Sequence, residues 1–207
     1  MVIRSGNTFN RYFFLFLTVF LLIFCNFVIM ILSIDKALLL CEVQMSDAPA
    51  IFNIINAERI YLGKWLPFVA QTRVLSDTEA FVQFVVETPK ELLKPVFSIY
   101  YEGELVGLIG LNNTDVPNKK TEIGYWLSQA YQKRGIMTRA VDRMTQFIFH
   151  ELELNRIQIN CAVDNHLSRA IPERLGFVME GIQRDGELLG NQTFTDLVIY
   201  SKLYKDI

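Results

Sequence analysis

The residues best suited to chemistry lie in one short stretch, Gln132-Lys133-Arg134-Gly135-Ile136-Met137-Thr138. It joins a segment of strand character, Thr121 to Ser128, to a run in which Val141, Met144, Ile148 and Leu152 fall at helical spacing. A strand, a basic loop with a glycine, and a helix start together make an anion site. The first N–H groups of a helix lack intrahelical partners, and the positive end of its dipole points to the same place. Gly135 lets the chain approach a ligand closely, and Lys133 and Arg134 add charge suited to a pyrophosphate. The chain contains neither GxxxxGK[ST] nor GxGxxG, which argues against a P-loop and a dinucleotide fingerprint. On these residues alone, a solvated turn is the competing reading.

The elements that must position this loop can be read in order. Ala37 to Val43 has strand character. Ser46-Asp47-Ala48-Pro49 predicts a helix start with Ser46 as N-cap and an early proline. Ile51, Ile54, Ile55 and Leu62 supply its apolar face. Leu62-Gly-Lys-Trp-Leu-Pro67 follows as a loop carrying Trp65, whose simplest role is that of a core anchor. Ser76-Asp77-Thr78-Glu79 reads as a capping box that opens a helix burying Phe81, Phe84 and Val85. Val96–Tyr101 and Leu105–Leu111 predict a hairpin across Glu102-Gly103-Glu104. Arg156 to Val163 is a further strand. Asn165 is a good N-cap, Gly176 a good helix end, and Pro172 between them frees the Ser168 carbonyl. Phe177–Arg184 and Phe194–Leu203 close the sheet, joined by a loop from Asp185 to Asn191.

The chain has 207 residues, 51% hydrophobic, with a net charge of −2. That suits one α/β domain with an added apolar piece, and it offers no basic surface for nucleic acid. Cys25, Cys41 and Cys161 lack metal or redox spacing, and His150 and His166 form no metal pattern, so reduced thiols and no metal are expected. Residues 12–34 carry no charge, with Arg4 and Arg11 before them and Asp35 and Lys36 after. Three readings stay open: upstream sequence ahead of a start at Met30, a membrane anchor with its N-terminus inside, or a buried segment. An anchor of that orientation would set the domain outside the cytoplasm. The division expected is 1–36 as the apolar segment and 37–207 as the domain.

The loop 132–138 resembles the Q/R-x-x-G-x-G/A loop of GNAT acetyltransferases, with Met137 where the family has Gly or Ala. Together with Glu122-Ile-Gly-Tyr-Trp126, Asn165, Ser168 and Gly176-Phe177, it resembles the branch that acetylates ribosomal-protein N-termini. The resemblance spans about 170 residues, from Ala37 onward. It implies a GNAT-like α/β fold with a mixed sheet, in which the parallel strands 121–128 and 157–163 splay apart. Acetyl-CoA would enter that gap as co-substrate. Its pantetheine would pair near Leu127 and Ser128, and its pyrophosphate would sit on Gln132, Lys133, Arg134, Gly135, Ile136, Met137 and Thr138. Asn165 and Ser168 would form the second cofactor-facing segment, and Trp65 would wall the substrate cleft.

The resemblance also implies roles. An amine must be neutral to attack, the tetrahedral intermediate needs an oxyanion donor, and the departing thiolate is helped by a proton. Glu187 is the first candidate for the base and Glu122 its rival, acting through water; each also reads simply as a surface acid. Ser168 is the candidate donor to sulfur, against a plain first-turn hydroxyl bonding its own backbone. No Cys–His pair is placed for an acyl-enzyme, so direct transfer is expected. The implied acceptor is a protein N-terminus in the cytoplasm. A polyamine or aminoglycoside acetylase and a non-catalytic acyl-CoA-binding module are the alternatives. A membrane partner follows only if residues 12–34 are expressed, and a homodimer is compatible with any of these readings.

Overall fold

The computed structural model describes residues 29–207, of which 31–207 form one unit. Among the described residues the sheet runs β1 (Ile31–Ser33), β2 (Leu38–Glu42), β3 (Val96–Tyr101), β4 (Glu104–Asp115), β5 (Lys120–Leu127), β6 (Arg156–Ala162), β8 (Phe194–Leu203), β7 (Val178–Leu188) in space. Every neighbouring pair is antiparallel except β5 and β6. The helices are α1 (Ala48–Ala57), α2 (Arg59–Gly63), α3 (Leu75–Glu87), α4 (Ile136–His150) and α5 (His166–Arg174). The expected mixed sheet and its element order are therefore present.

The β3–β4 hairpin turns at Glu102 and Gly103, both at positive φ (54° and 87°). Two left-handed residues make the turn whose twist matches that of paired strands. On one face of the sheet, Ile51 and Ile55 of α1, Leu62 of α2 and Val82 of α3 cover Leu108 and Trp126. On the other, α4 presents Ile136, Ala140, Val141, Met144, Phe147 and Ile148 at helical spacing. Phe147 meets Phe97 edge to face at 5.9 Å. Leu152, expected on that helix, lies just past its end.

Several local expectations are corrected. Ser46 caps nothing: Met45–Asp47 form a 3-10 turn and the α-helix begins at Ala48. The α3 start lies earlier than the Ser76–Glu79 box. The Asp77 carboxylate, in the first turn, accepts from the N–H groups of Arg73 and Val74 at 2.7 and 2.9 Å. With the helix set this way, Thr78 and Val82 point inward, while Phe81 and Phe84 stand exposed. Strand β7 continues through Leu188, so residues 185–188 are strand rather than loop. Residues 31–33, the tail of the apolar segment, form an edge strand on β2 that buries Leu32. Residues 12–28 and Cys25 lie outside the described residues. Among those described, no helix is long and apolar enough to cross a membrane.

One buried carboxylate ties the first helix to the sheet. Asp47 accepts from Ser98 Oγ and Tyr100 OH, each at 2.7 Å, and from Gln44 N–H at 3.1 Å. Burial and the Asp47 bond push the Tyr100 phenol above its ordinary range. Asp47→Ala leaves two hydroxyls and an amide without a partner, so a loss of about 2–4 kcal/mol in unfolding free energy is expected, measured by urea denaturation.

Candidate active site

The parallel β5–β6 ladder has only three partners: Lys120↔Arg156, Thr121↔Ile157 and Glu122↔Gln158. Beyond Glu122 the strands part. Each is held by its outer neighbour: β5 pairs with β4 up to Leu127↔Gly107, and β6 with β8 up to Ala162↔Leu197. The Ser128 N–H donates to the Val106 carbonyl at 2.8 Å. Antiparallel alternation then turns the main-chain groups of Tyr125 and Leu127 toward the gap. Of the two residues expected to pair with pantetheine, Leu127 offers its backbone to the opening. Ser128 is committed internally: its carbonyl accepts from Tyr131 N–H at 3.1 Å, and its hydroxyl donates to Glu58 at 2.7 Å.

A groove of about 250 Å³ occupies this opening. Leu127, Gln132, Lys133, Gly135, Ile136, Met137, Thr138, Asn165, Ser168 and Trp65 line it. Lys133 and Gly135 both adopt positive φ (60° and 71°). Left-handed residues in such a loop form a concavity of main-chain N–H groups. The first helical bond of α4 runs from Arg139 N–H to the Gly135 carbonyl. The N–H groups of Ile136, Met137 and Thr138 therefore have no partner within the helix. A Cβ on Gly135 would meet nothing within 4 Å, so the space above the loop is open. These donors fit a pyrophosphate. Arg134 does not line the groove; its guanidinium lies over the Tyr131 ring and donates to the Ala130 carbonyl at 3.3 Å.

The opposite wall belongs to α5. Asn165 Oδ1 accepts from Ser168 N–H at 3.2 Å, the N-cap expected. Arg169 donates to Tyr200 OH at 3.1 Å and to the Val163 carbonyl at 2.9 Å, pinning the helix to the sheet. Two groove residues give no functional signal in the sequence. Arg174, which reads as an ordinary helix-end cation, donates to Thr138 Oγ1 at 2.9 Å and bridges α5 to the start of α4. Tyr125 lies inside the Glu122–Trp126 motif, yet nothing there marks it for a role; its hydroxyl donates to the Ser168 carbonyl at 3.1 Å. Trp65 stands half-buried on the groove with Tyr61 and Leu66, not in the core, and Lys64 sits over its ring at 4.6 Å.

Glu122 and Glu187 lie outside this groove. Along β5, Glu122 shares a face with Trp126, opposite to Tyr125. Registers Glu122↔Gln158, Gln158↔Ser201 and Thr195↔Glu187 put Glu187 on that same face. Burial raises the pKa of both carboxyls, and the Glu122 charge raises Glu187 further. Asn113 Nδ2 donates weakly to Glu122 at 3.4 Å. The two candidate bases thus stand together on one side of the sheet, while Ser168 stands on the other. Contrary to expectation, Glu187 sits in β7, directly opposite Thr195. The connection that follows packs Gly190 near Ala70 and Gly63, beside the Trp65 loop.

This arrangement is that of an enzyme taking its acyl donor from coenzyme A. The chain belongs to the GNAT acetyltransferases: residues 37–178 match the family model described as "Acetyltransferase (GNAT) domain". It is 39% identical over 165 residues to the "Putative ribosomal N-acetyltransferase YdaF" of Bacillus subtilis, covering 79% of this chain and 89% of that one. It is 29% identical over 172 residues to the "Ribosomal-protein-serine acetyltransferase" of Escherichia coli, covering 83% and 96%. A solved structure of the microcin C7 self-immunity acetyltransferase MccE in complex with acetyl-CoA and AMP superposes with a TM-score of 0.78 at 29% identity, covering 82% and 94%. The protein is an N-acetyltransferase with acetyl-CoA as its acetyl donor.

Gly135→Val places a β-branched residue at positive φ, which costs about 1–2 kcal/mol of backbone strain or forces the loop to move. Calorimetric titration should show acetyl-CoA binding weakened by about tenfold or more, since the N–H concavity depends on that geometry. Unchanged affinity would show that the loop does not hold the cofactor.

Proposed function

We propose that the enzyme transfers the acetyl group directly to the N-terminal amine of a protein, a ribosomal protein first among candidates. The observation that carries this reading is the opposition across the β5–β6 gap: two carboxylates with raised pKa on one face, a hydroxyl on the other. Glu187 takes the proton that leaves the acceptor nitrogen, directly or through water, and Glu122 is its neighbour and rival. The nitrogen bonds to the acetyl carbonyl carbon as the carbon–sulfur bond breaks. Ser168 donates a hydrogen bond to the sulfur as charge develops there. No side chain needs to carry the acetyl group.

The choice of acceptor rests on relatives. Two of them are named for ribosomal proteins and match over most of their length. The extended main chain of a protein N-terminus also suits a cleft floored by strands and walled by the Trp65 segment. A cytoplasmic location belongs to the same reading, since ribosomes and acetyl-CoA meet there.

Ser168→Ala and Glu187→Gln should each lower kcat by roughly one to three orders of magnitude. Acetyl-CoA affinity should stay within about threefold, because neither change touches the anion-binding loop. Thiol release, followed with N-terminal peptides, polyamines and aminoglycosides, checks both the roles and the acceptor. Turnover confined to the small cations would sink the protein-N-terminus reading.

A pH profile separates the two carboxylates. Glu187 is active when ionised, and its raised pKa delays ionisation to higher pH. Glu122→Gln removes the repelling charge, lowers the Glu187 pKa, and should move the acid limb of kcat/KM to lower pH. A limb that stays in place, with activity lost at all pH values, would instead make Glu122 the base.

A further inference from the structure

We propose that Tyr125 is a positioning residue for Ser168, acting through the backbone carbonyl that Pro172 leaves without its helical partner. The proposal rests on the reading of Ser168 as donor to the thiolate.

Pro172 sits inside α5, four residues after Ser168. In an uninterrupted helix the N–H of residue 172 would bond the carbonyl of residue 168; proline has none to give. That carbonyl lies at the wall of the groove, where an unpaired acceptor is costly. Tyr125, three residues past the last β5–β6 pair, reaches across the gap and donates its hydroxyl proton to it at 3.1 Å. The same phenol oxygen accepts from Ser168 Oγ at 3.3 Å. Its burial keeps the phenol protonated. Cys161 Sγ stands 3.3 Å from Ser168 Oγ and is also in hydrogen-bond contact with the phenol.

A hydroxyl has one proton and two acceptor sites, and a thiol one weak proton. With Ser168 as donor to the phenol, the assignment is Cys161 S–H to Ser168 Oγ, Ser168 O–H to Tyr125 OH, and Tyr125 O–H to the Ser168 carbonyl. The last acceptor has no proton of its own, so the missing N–H of Pro172 sets the direction of the chain. Ser168 Oγ is thereby held by two partners. To serve a sulfur entering the groove, its proton needs only to rotate about the Cβ–Oγ bond. Without the phenol, the Ser168 carbonyl loses this partner, the first turn of α5 shifts to find another, and the hydroxyl that the turn carries is displaced with it.

The test uses the full chain, with kcat and KM for acetyl-CoA measured at saturating acceptor peptide, and thermal melting to monitor folding. Tyr125→Phe should lower kcat about tenfold or more, with KM for acetyl-CoA within about threefold, because the loss falls on the chemical step. In a Ser168→Ala background the same change should cost less than about twofold, as expected when one residue acts through the other. Pro172→Ala restores an N–H to the orphaned carbonyl. The Pro172→Ala/Tyr125→Phe protein should therefore return to within about threefold of Pro172→Ala alone. A kcat for Tyr125→Phe within twofold of wild type, while Ser168→Ala is impaired, overturns the proposal. So does an equal loss in both Ser168 backgrounds, or a tenfold deficit that Pro172→Ala does not repair. That last comparison holds even if Tyr125→Phe alone folds poorly. Wild-type turnover by Ser168→Ala would instead overturn the role of Ser168, and this proposal with it.

Discussion

The site depends on one pairing that stops early. Strands β5 and β6 are parallel neighbours for three partners and then separate after Glu122↔Gln158. The separation is maintained because each strand is satisfied elsewhere. Ser128 N–H is bonded to Val106, and Glu58 accepts from both the Ser128 hydroxyl and the Gln129 N–H at 2.7 and 2.8 Å. β6 remains paired with β8 to Ala162, and Val163 N–H donates to Asp196. Strand edges left open in this way attract an extended partner. The crossover helix α4 must connect these two strands, which brings its unpaired N–H groups to the open end of the gap. Groove, anion site and access from both faces all follow from the early end of one ladder.

The gap also keeps proton chemistry apart. The acidic pair Glu122 and Glu187 lies on the face shared with Trp126, and the Cys161–Ser168–Tyr125 chain lies on the face covered by α5. In the proposed mechanism the base and the hydrogen-bond donor must not neutralise each other directly. Here the sheet itself lies between them. Gln132, whose side chain donates to the Tyr61 hydroxyl, joins the anion loop to the segment that carries Trp65, so both belong to one groove.

Much of this is legible in the sequence. The loop 132–138, the Asn165 cap, the Gly176 stop (φ 73°) and the order of elements depend on local chemistry that a single residue type reports. The features that differ from expectation share a cause, which is that distant contacts decide them. Helix α3 has apolar residues on more than one face, so Phe81 and Phe84 make as good a stripe as Val82 and Val85; burial of Val82 with Ile51, Leu62, Leu108 and Trp126 decides between them. The Asp185-Gly186 pair has the composition of a turn, which would put Glu187 in a loop. In the fold Asp185 is strand backbone at positive φ, its N–H bonded to Asp196 at 2.9 Å. Tyr125 gives no sign of its role because its partner is a carbonyl freed by a proline far along the chain, and that meeting exists only once β5 and α5 have packed.

Two of the groove's binding features are main chain: the inward-turned edge of β5, and the amides that open α4. Proline apart, substitution leaves peptide groups chemically unchanged. Drift can therefore rewrite most side chains along these segments without erasing what the strand edge and helix start offer, provided the strands still part and Gly135 keeps its left-handed turn. Recognition of the donor can persist among proteins that share little more than a quarter of their residues. In the proposed reading the acceptor side is built from side chains such as Glu122, Glu187 and Trp65, and divergence there is free to redirect the same transfer to new amines.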